Sequence, residues 1–147
     1  MFLLGFRIVA KERLGINKKE LIDEVTLLIE KYPDQAEFYN VRSNLYRSEK
    51  QYLSALNDAY KAIDLKPENG LYYSTLAEIR FCQGEKQEFY LNFDTALRMD
   101  YNIEDILFEV IDTKNIYRQS LTDPEFIRIL HKHDKSYFID LLQKDRV

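Results

Sequence analysis

The sequence predicts an all-α protein built of stacked helical hairpins, and three observations carry that prediction. Residues of one kind recur 34 positions apart: Leu28, Ala62 and Ala96; Ile29, Ile63 and Leu97; Val25, Ala59 and Phe93; Pro33 and Pro67; Tyr39 and Tyr73. Within each interval the apolar residues fall at i, i+3, i+4 and i+7, the stripe of a helix with one buried face. Turn signals separate the stripes, at Tyr32-Pro33-Asp34, at Lys66-Pro67 and at Gly84. A period of this length is one helix–turn–helix unit. Such a unit cannot bury its apolar face alone, so its neighbours must supply the missing wall.

The elements follow in order. Glu20 to Lys31 carries the stripe Leu21, Ile22, Val25, Leu28 and Ile29. Asn17, three residues before Glu20, is placed to cap it, and Pro33 ends it because proline disfavours helix in the residue before it. A second helix runs from about Ala36 to Ser48 and a third from about Tyr52 to Leu65, stopping at Lys66-Pro67. The next pair spans Leu71 to Cys82 and Lys86 to Met99, with Gly84 in the turn. Paired helices with short turns form antiparallel hairpins. After Tyr101 the period degrades. Ile103, Ile106, Leu107, Val110 and Ile111 trace one more helix, and Asp123-Pro124 starts another, with Asp123 as cap and Pro124 in the first turn. Phe126, Ile127, Ile129 and Leu130, then Tyr137, Phe138, Leu141 and Leu142, mark two short closing helices. Residues 102–147 thus read as a cap over an otherwise exposed apolar face.

Composition narrows the class. The 147 residues suit one domain, with 46% apolar and 31% charged residues, as in a soluble globular protein. A net charge of −4 argues against a nucleic-acid partner, which would call for a basic footprint. Cys82 is the single cysteine, which excludes an intrachain disulfide and fits a reducing compartment, so a cytoplasmic location is expected. The start, Met1 to Arg7, lacks the basic region and cleavage site of a targeting signal and reads as an amphipathic first helix. No segment reaches the length of a membrane span. Eleven Tyr and nine Phe with no Trp suit rings used as wedges between helices.

These columns resemble the tetratricopeptide repeat (TPR) family, whose unit carries an aromatic residue, Leu-Gly, Tyr, then Ala-x3-Phe, a further alanine and a closing proline. Residues 36–69 match at Tyr39, Ser43, Tyr46, Tyr52, Ala55, Ala62 and Pro67, and depart at Arg42 (leucine is usual) and Ala59 (an aromatic is usual). Residues 70–101 match at Tyr73, Leu76, Ala77, Gly84, Phe93 and Ala96, and depart at Arg80, Phe89 and Tyr101, where tyrosine, alanine and proline are usual. Residues 1–35 resemble a degenerate unit, and the run ending Asp123-Pro-Glu-Phe126-x-x-Ile129-Leu130 looks like the segment that closes many bacterial repeat proteins of this kind. The resemblance implies a right-handed α-α superhelix of TPR-like hairpins with C-terminal capping helices, and a non-catalytic scaffold that binds a peptide or helix of a partner in its concave groove.

The family's groove positions, carried onto this chain, are Arg13, Asn40, Asn44, Arg47, Ser74, Glu78 and Phe81. Arg13 and Arg47 would stack one unit apart, with Phe81 completing the column. Guanidinium pairs bidentately with carboxylate, so the expected partner is a protein or peptide with an acidic segment. The carboxylate clamp of the chaperone-tail-binding members is not expected, because Asn40 stands where lysine is needed and Thr75 where a second asparagine is.

No catalytic constellation is legible, and neither enzyme activity nor a cofactor is expected. The two histidines, His131 and His133, lie two apart, which places them on opposite sides of a helix. A metal site on them would need further ligands, so metal binding is the lesser alternative to an interaction scaffold. A self-associating module is the other alternative, favoured by the apolar stretch Phe2 to Val9. Partner, pathway and oligomeric state are not written in the sequence.

Overall fold

Two antiparallel helical hairpins stand at the centre of the chain. The computed structural model describes residues 7, 11, 14–108 and 111–144, and among these all regular structure is helical. The elements are α1 (Lys18–Lys31), α2 (Ala36–Ser48), α3 (Tyr52–Leu65), α4 (Gly70–Cys82), α5 (Lys86–Arg98), a 3₁₀ helix (Ile103–Phe108), α6 (Ile111–Ser120), α7 (Pro124–Lys132) and α8 (Tyr137–Lys144). The α2–α3 and α4–α5 hairpins are stacked through α3 against α4, and α2 also touches α4. α1 packs on α2, so it supplies the wall the first hairpin lacks. No helix among the described residues is long and apolar enough to cross a membrane.

The sequence columns meet in space. Tyr39 donates its hydroxyl to the Pro33 carbonyl at 2.8 Å, and Tyr73 repeats the bond to Pro67 at 2.9 Å. Ala62 and Ala96 are both 0% exposed. Asn17 caps α1 by accepting from the Lys19 amide at 2.8 Å, and Asp123 caps α7 by accepting from Glu125 at 3.0 Å. Each of these caps satisfies one of the four amides that a helix start leaves without a partner.

Two expectations need correction or fall outside view. The single helix traced from Ile103 to Ile111 is instead a 3₁₀ helix ending at Phe108 and a separate α6 that continues to Ser120. Ile103 and Ile106 are fully buried, which explains why the apolar spacing read as one helix. The expected helix over Phe2 to Leu14, including Arg13, lies outside the described residues apart from positions 7, 11 and 14. Of these, Arg7 and Lys11 both pair with Glu24 of α1, at 2.9 and 2.6 Å.

Candidate functional site

Two of the expected groove residues, Arg47 of α2 and Glu78 of α4, meet between these helices, and the structure closes that place. α4 has no exposed residue: Gly70, Tyr72, Ser74, Thr75, Leu76, Ala77, Glu78 and Ile79 are buried and the others half-buried. A helix packed on all sides needs a neighbour on each side. α5, α3 and α2 all pack on α4, and α6 touches it as well.

The contact with α6 is polar at its centre. Arg47 of α2 is 4% exposed and donates from Nη2 to Thr113 Oγ1 at 3.0 Å. Its Nη2 also lies 3.9 Å from Oε1 of Glu78, which is 1% exposed. Glu78 Oε2 accepts the Tyr117 hydroxyl at 2.7 Å. Burial pushes the Glu78 carboxyl above its ordinary value, while Arg47 and the Tyr117 hydroxyl pull it back. Two charges held away from water are tolerated here because each has a counter-charge and a hydroxyl from α6.

Ser74 is fully buried and turned inward on its own helix, donating to Leu71 O at 2.7 Å. Asn40 is buried, and its Oδ1 has no hydrogen-bond partner; Asn44 is half-buried and donates to Asn40 O at 3.2 Å. Phe81 is half-buried, edge-on to Phe89 at 5.2 Å between ring centroids. It borders a cleft of about 310 Å³ with Lys86, Tyr90, Asp123 and Pro124. Within that cleft Asp123 is held down to about 2 by hydrogen bonds from Tyr90, Lys86 and the Glu125 amide.

The expected open groove is therefore corrected. Arg47 of α2 and Glu78 of α4 do meet, at 3.9 Å, but the chain's own α6 covers them and uses their charges. Arg47 is thus engaged internally, which removes the described half of the basic strip expected to attract an acidic segment. The residues that sequence reasoning missed are Thr113 and Tyr117. The available signal was the spacing Thr113, Ile116, Tyr117 and Ser120, one helical face, together with the uncharged run from Gly70 to Ala77 in α4.

The histidines point to different partners. His131 Nδ1 meets Ser136 Oγ at 2.6 Å, and His133 Nε2 meets Asp94 of α5 at 2.7 Å. Lys132 also bonds Asp94, at 3.0 Å. Burial works against the Asp94 charge, but the bonds from His133 and Lys132 hold its carboxyl below the ordinary value. This clip fastens α7 to α5. Among the described residues no group of three or more His, Cys, Asp or Glu side chains is placed to hold a metal ion. No protein-family model matches the chain, and no curated protein matches it at a significant level.

Proposed function

We propose that the protein is a non-catalytic protein–protein interaction scaffold, a small TPR-like right-handed superhelix closed by its own C-terminal cap, which meets its partner across the outer face of α1, α3 and α5. The observation that carries this reading is a set of large apolar side chains left in solvent on those helices. Leu27 is 66% exposed, Leu53 82%, Leu91 62% and Tyr60 45%. Shifted by the 34-residue period, Leu27 falls at the position of Lys61 and Leu91 at that of Asn57. Positions 53, 57, 60 and 61 are i, i+4, i+7 and i+8, a single helical face. Single exposed leucines are ordinary, but apolar side chains on the corresponding face of alternate helices suit a partner surface.

Burying such side chains supplies the energy of association, with the surrounding charges setting orientation. Because Arg47 is engaged internally, the partner is assigned by apolar complementarity rather than by acidity. The cytoplasmic assignment rests on the lone cysteine and belongs to the same proposal.

Capture from an extract of the source cell tests it. Leu53→Glu combined with Leu91→Glu should lower recovery of the partner by more than about tenfold, the weight of one anchor residue, with helicity and melting temperature unchanged. Recovery equal to that of a Lys144→Glu control would remove the outer face from consideration.

A further inference from the structure

α6 lies on the inner face as a helical ligand lies in a groove. Among its described side chains the buried ones are Thr113, Ile116, Tyr117 and Ser120, at i, i+3, i+4 and i+7. That is the anchor spacing by which an amphipathic helix enters a groove. The other side of α6 faces out, with Asn115 and Gln119 exposed. Ile116 and the Tyr117 ring supply the apolar anchor, the ring meeting Phe93 at 5.5 Å and Phe89 at 6.1 Å. The hydroxyls of Thr113 and Tyr117 read the charged pair below, at 3.0 Å to Arg47 and 2.7 Å to Glu78.

Ile116 and Tyr117 belong to the same buried cluster as Phe89, Phe93 and Phe126, and three properties set the α6 seat apart within it. Its centre is a pair of charges, and their rehydration offsets part of the free energy needed to open the seat, which no apolar centre would do. α6 is a poor helix by itself. Thr113, Asn115, Ile116, Tyr117 and Ser120 all rank low in helix propensity, and a helix of 10 residues is marginal without packing. The rest of the cap has its own hold on the hairpins. Phe126 of α7 packs on Phe93 at 5.3 Å, and His133 and Lys132 clip α7 to Asp94.

We propose that α6 is an internal ligand covering an occluded helix-binding site, and that the site's external occupant is a partner helix bearing hydroxyl, aliphatic, aromatic and hydroxyl side chains at i, i+3, i+4 and i+7. The aromatic at the third position is required because the place vacated by Tyr117 is walled by Phe89 and Phe93 of α5 and by Phe126 of α7. The two hydroxyls are required because Arg47 and Glu78 would otherwise be buried against an apolar surface. The site is independent of the outer face described above.

The probe is a fluorescein-labelled synthetic peptide with the sequence of residues 111–121, added to the full-length chain and followed by anisotropy. Thr113→Val with Tyr117→Phe removes both hydroxyls of the internal helix and leaves Arg47, Glu78 and the rings in place. That variant should bind the peptide at least about tenfold more tightly than wild type, the equivalent of one hydrogen bond to a charged group. A peptide carrying the same two changes should lose the gain.

Equal affinity of variant and wild type would overturn the internal-ligand assignment, and equal affinity of the two peptides would overturn recognition by hydroxyls. Dimerisation of the variant without added peptide would make a second copy the occupant in place of a partner. Hydrogen exchange on the unaltered protein guards against a variant that fails to fold. Amides from Thr113 to Ser120 should exchange at least about tenfold faster than those of α4, through local opening. Equal protection would overturn the proposal. Peptide capture should be indifferent to Leu53→Glu and Leu91→Glu, which separates this test from that of the outer face.

Discussion

The α2–α3 hairpin is held by polar ties and the α4–α5 hairpin by aromatic rings, although the two occupy the same register. In the first, Arg42 reaches across to Asp58 with Nε and Nη2, at 2.7 and 2.8 Å, and lies over the rings of Tyr39 and Tyr46. Ser43 donates to Ala55 O at 2.7 Å. One period later the same places hold Leu76, Asn92, Ala77 and Phe89, and the ties are gone. Phe89 is fully buried among Phe81, Phe93, Tyr117 and Phe126. The difference follows from what each hairpin must face. The first meets α1 and a repeat neighbour, whose shapes a small alanine fits. The second meets a cap of different geometry, and a ring fills the space an alanine would leave. Tyr101 is a parallel case. It replaces the proline of the first unit, and Gly70 makes room for it: a Cβ there would sit 2.7 Å from Ala96 O and 3.0 Å from the Tyr101 Cβ.

Making the second hairpin resemble the first should have the largest effect. Phe89→Ala should destabilise by about 3–5 kcal/mol, since the cavity would open at the junction of α4, α5, α6 and α7. Chemical denaturation gives the value, and a loss below about 1 kcal/mol would mean that the ring is not what joins cap to hairpin.

Next comes the polar tie. Asp58→Ala leaves the Arg42 guanidinium, largely withdrawn from water, without its counter-charge, and should cost about 2–3 kcal/mol. Arg42→Leu with Asp58→Asn installs the second hairpin's residues at the same register and should return stability to within about 1 kcal/mol of wild type, as replaced buried ion pairs generally do. A double variant no better than the single would mean that the tie is specific to the first hairpin.

A smaller gain is expected at the turns. Lys50 adopts φ 60° where the second hairpin has Gly84 at φ 78°. A Cβ at Gly84 would meet nothing within 4 Å, so the difference between the turns is conformational rather than steric. Lys50→Gly should therefore stabilise by up to about 1 kcal/mol, readable as a rise in melting temperature.

The smallest effect is confined to acid. Asp123 titrates at about 2 in the folded chain, below the ordinary carboxylate value of about 3.9. Its ionised form therefore supports the cap above about pH 4, and that support fades as pH falls from about 4 towards 2. Thermal melts across this range should show a shallower acid loss for Asp123→Asn than for wild type.

Periodicity alone determined the hairpins, their register and the burial of Ala62 and Ala96. Helix stripes, prolines and caps are local or repeat at a fixed interval, and such information survives in one dimension. The same reading put Arg47 and Glu78 on neighbouring helices, and the structure brings them to 3.9 Å. What meets that face was decided by tertiary structure, because it depends on how the chain returns after Tyr101. α6 is short, low in helix propensity and carries few apolar residues, so it left only a faint stripe. Thr113 and Tyr117 look like surface polar residues until Arg47 and Glu78 are seen beneath them. The uncharged run from Gly70 to Ala77 was the one sign that both sides of α4 are covered. A sequence pattern records which residues share a face, whereas the occupant of that face is set by a long-range contact with no period to announce it.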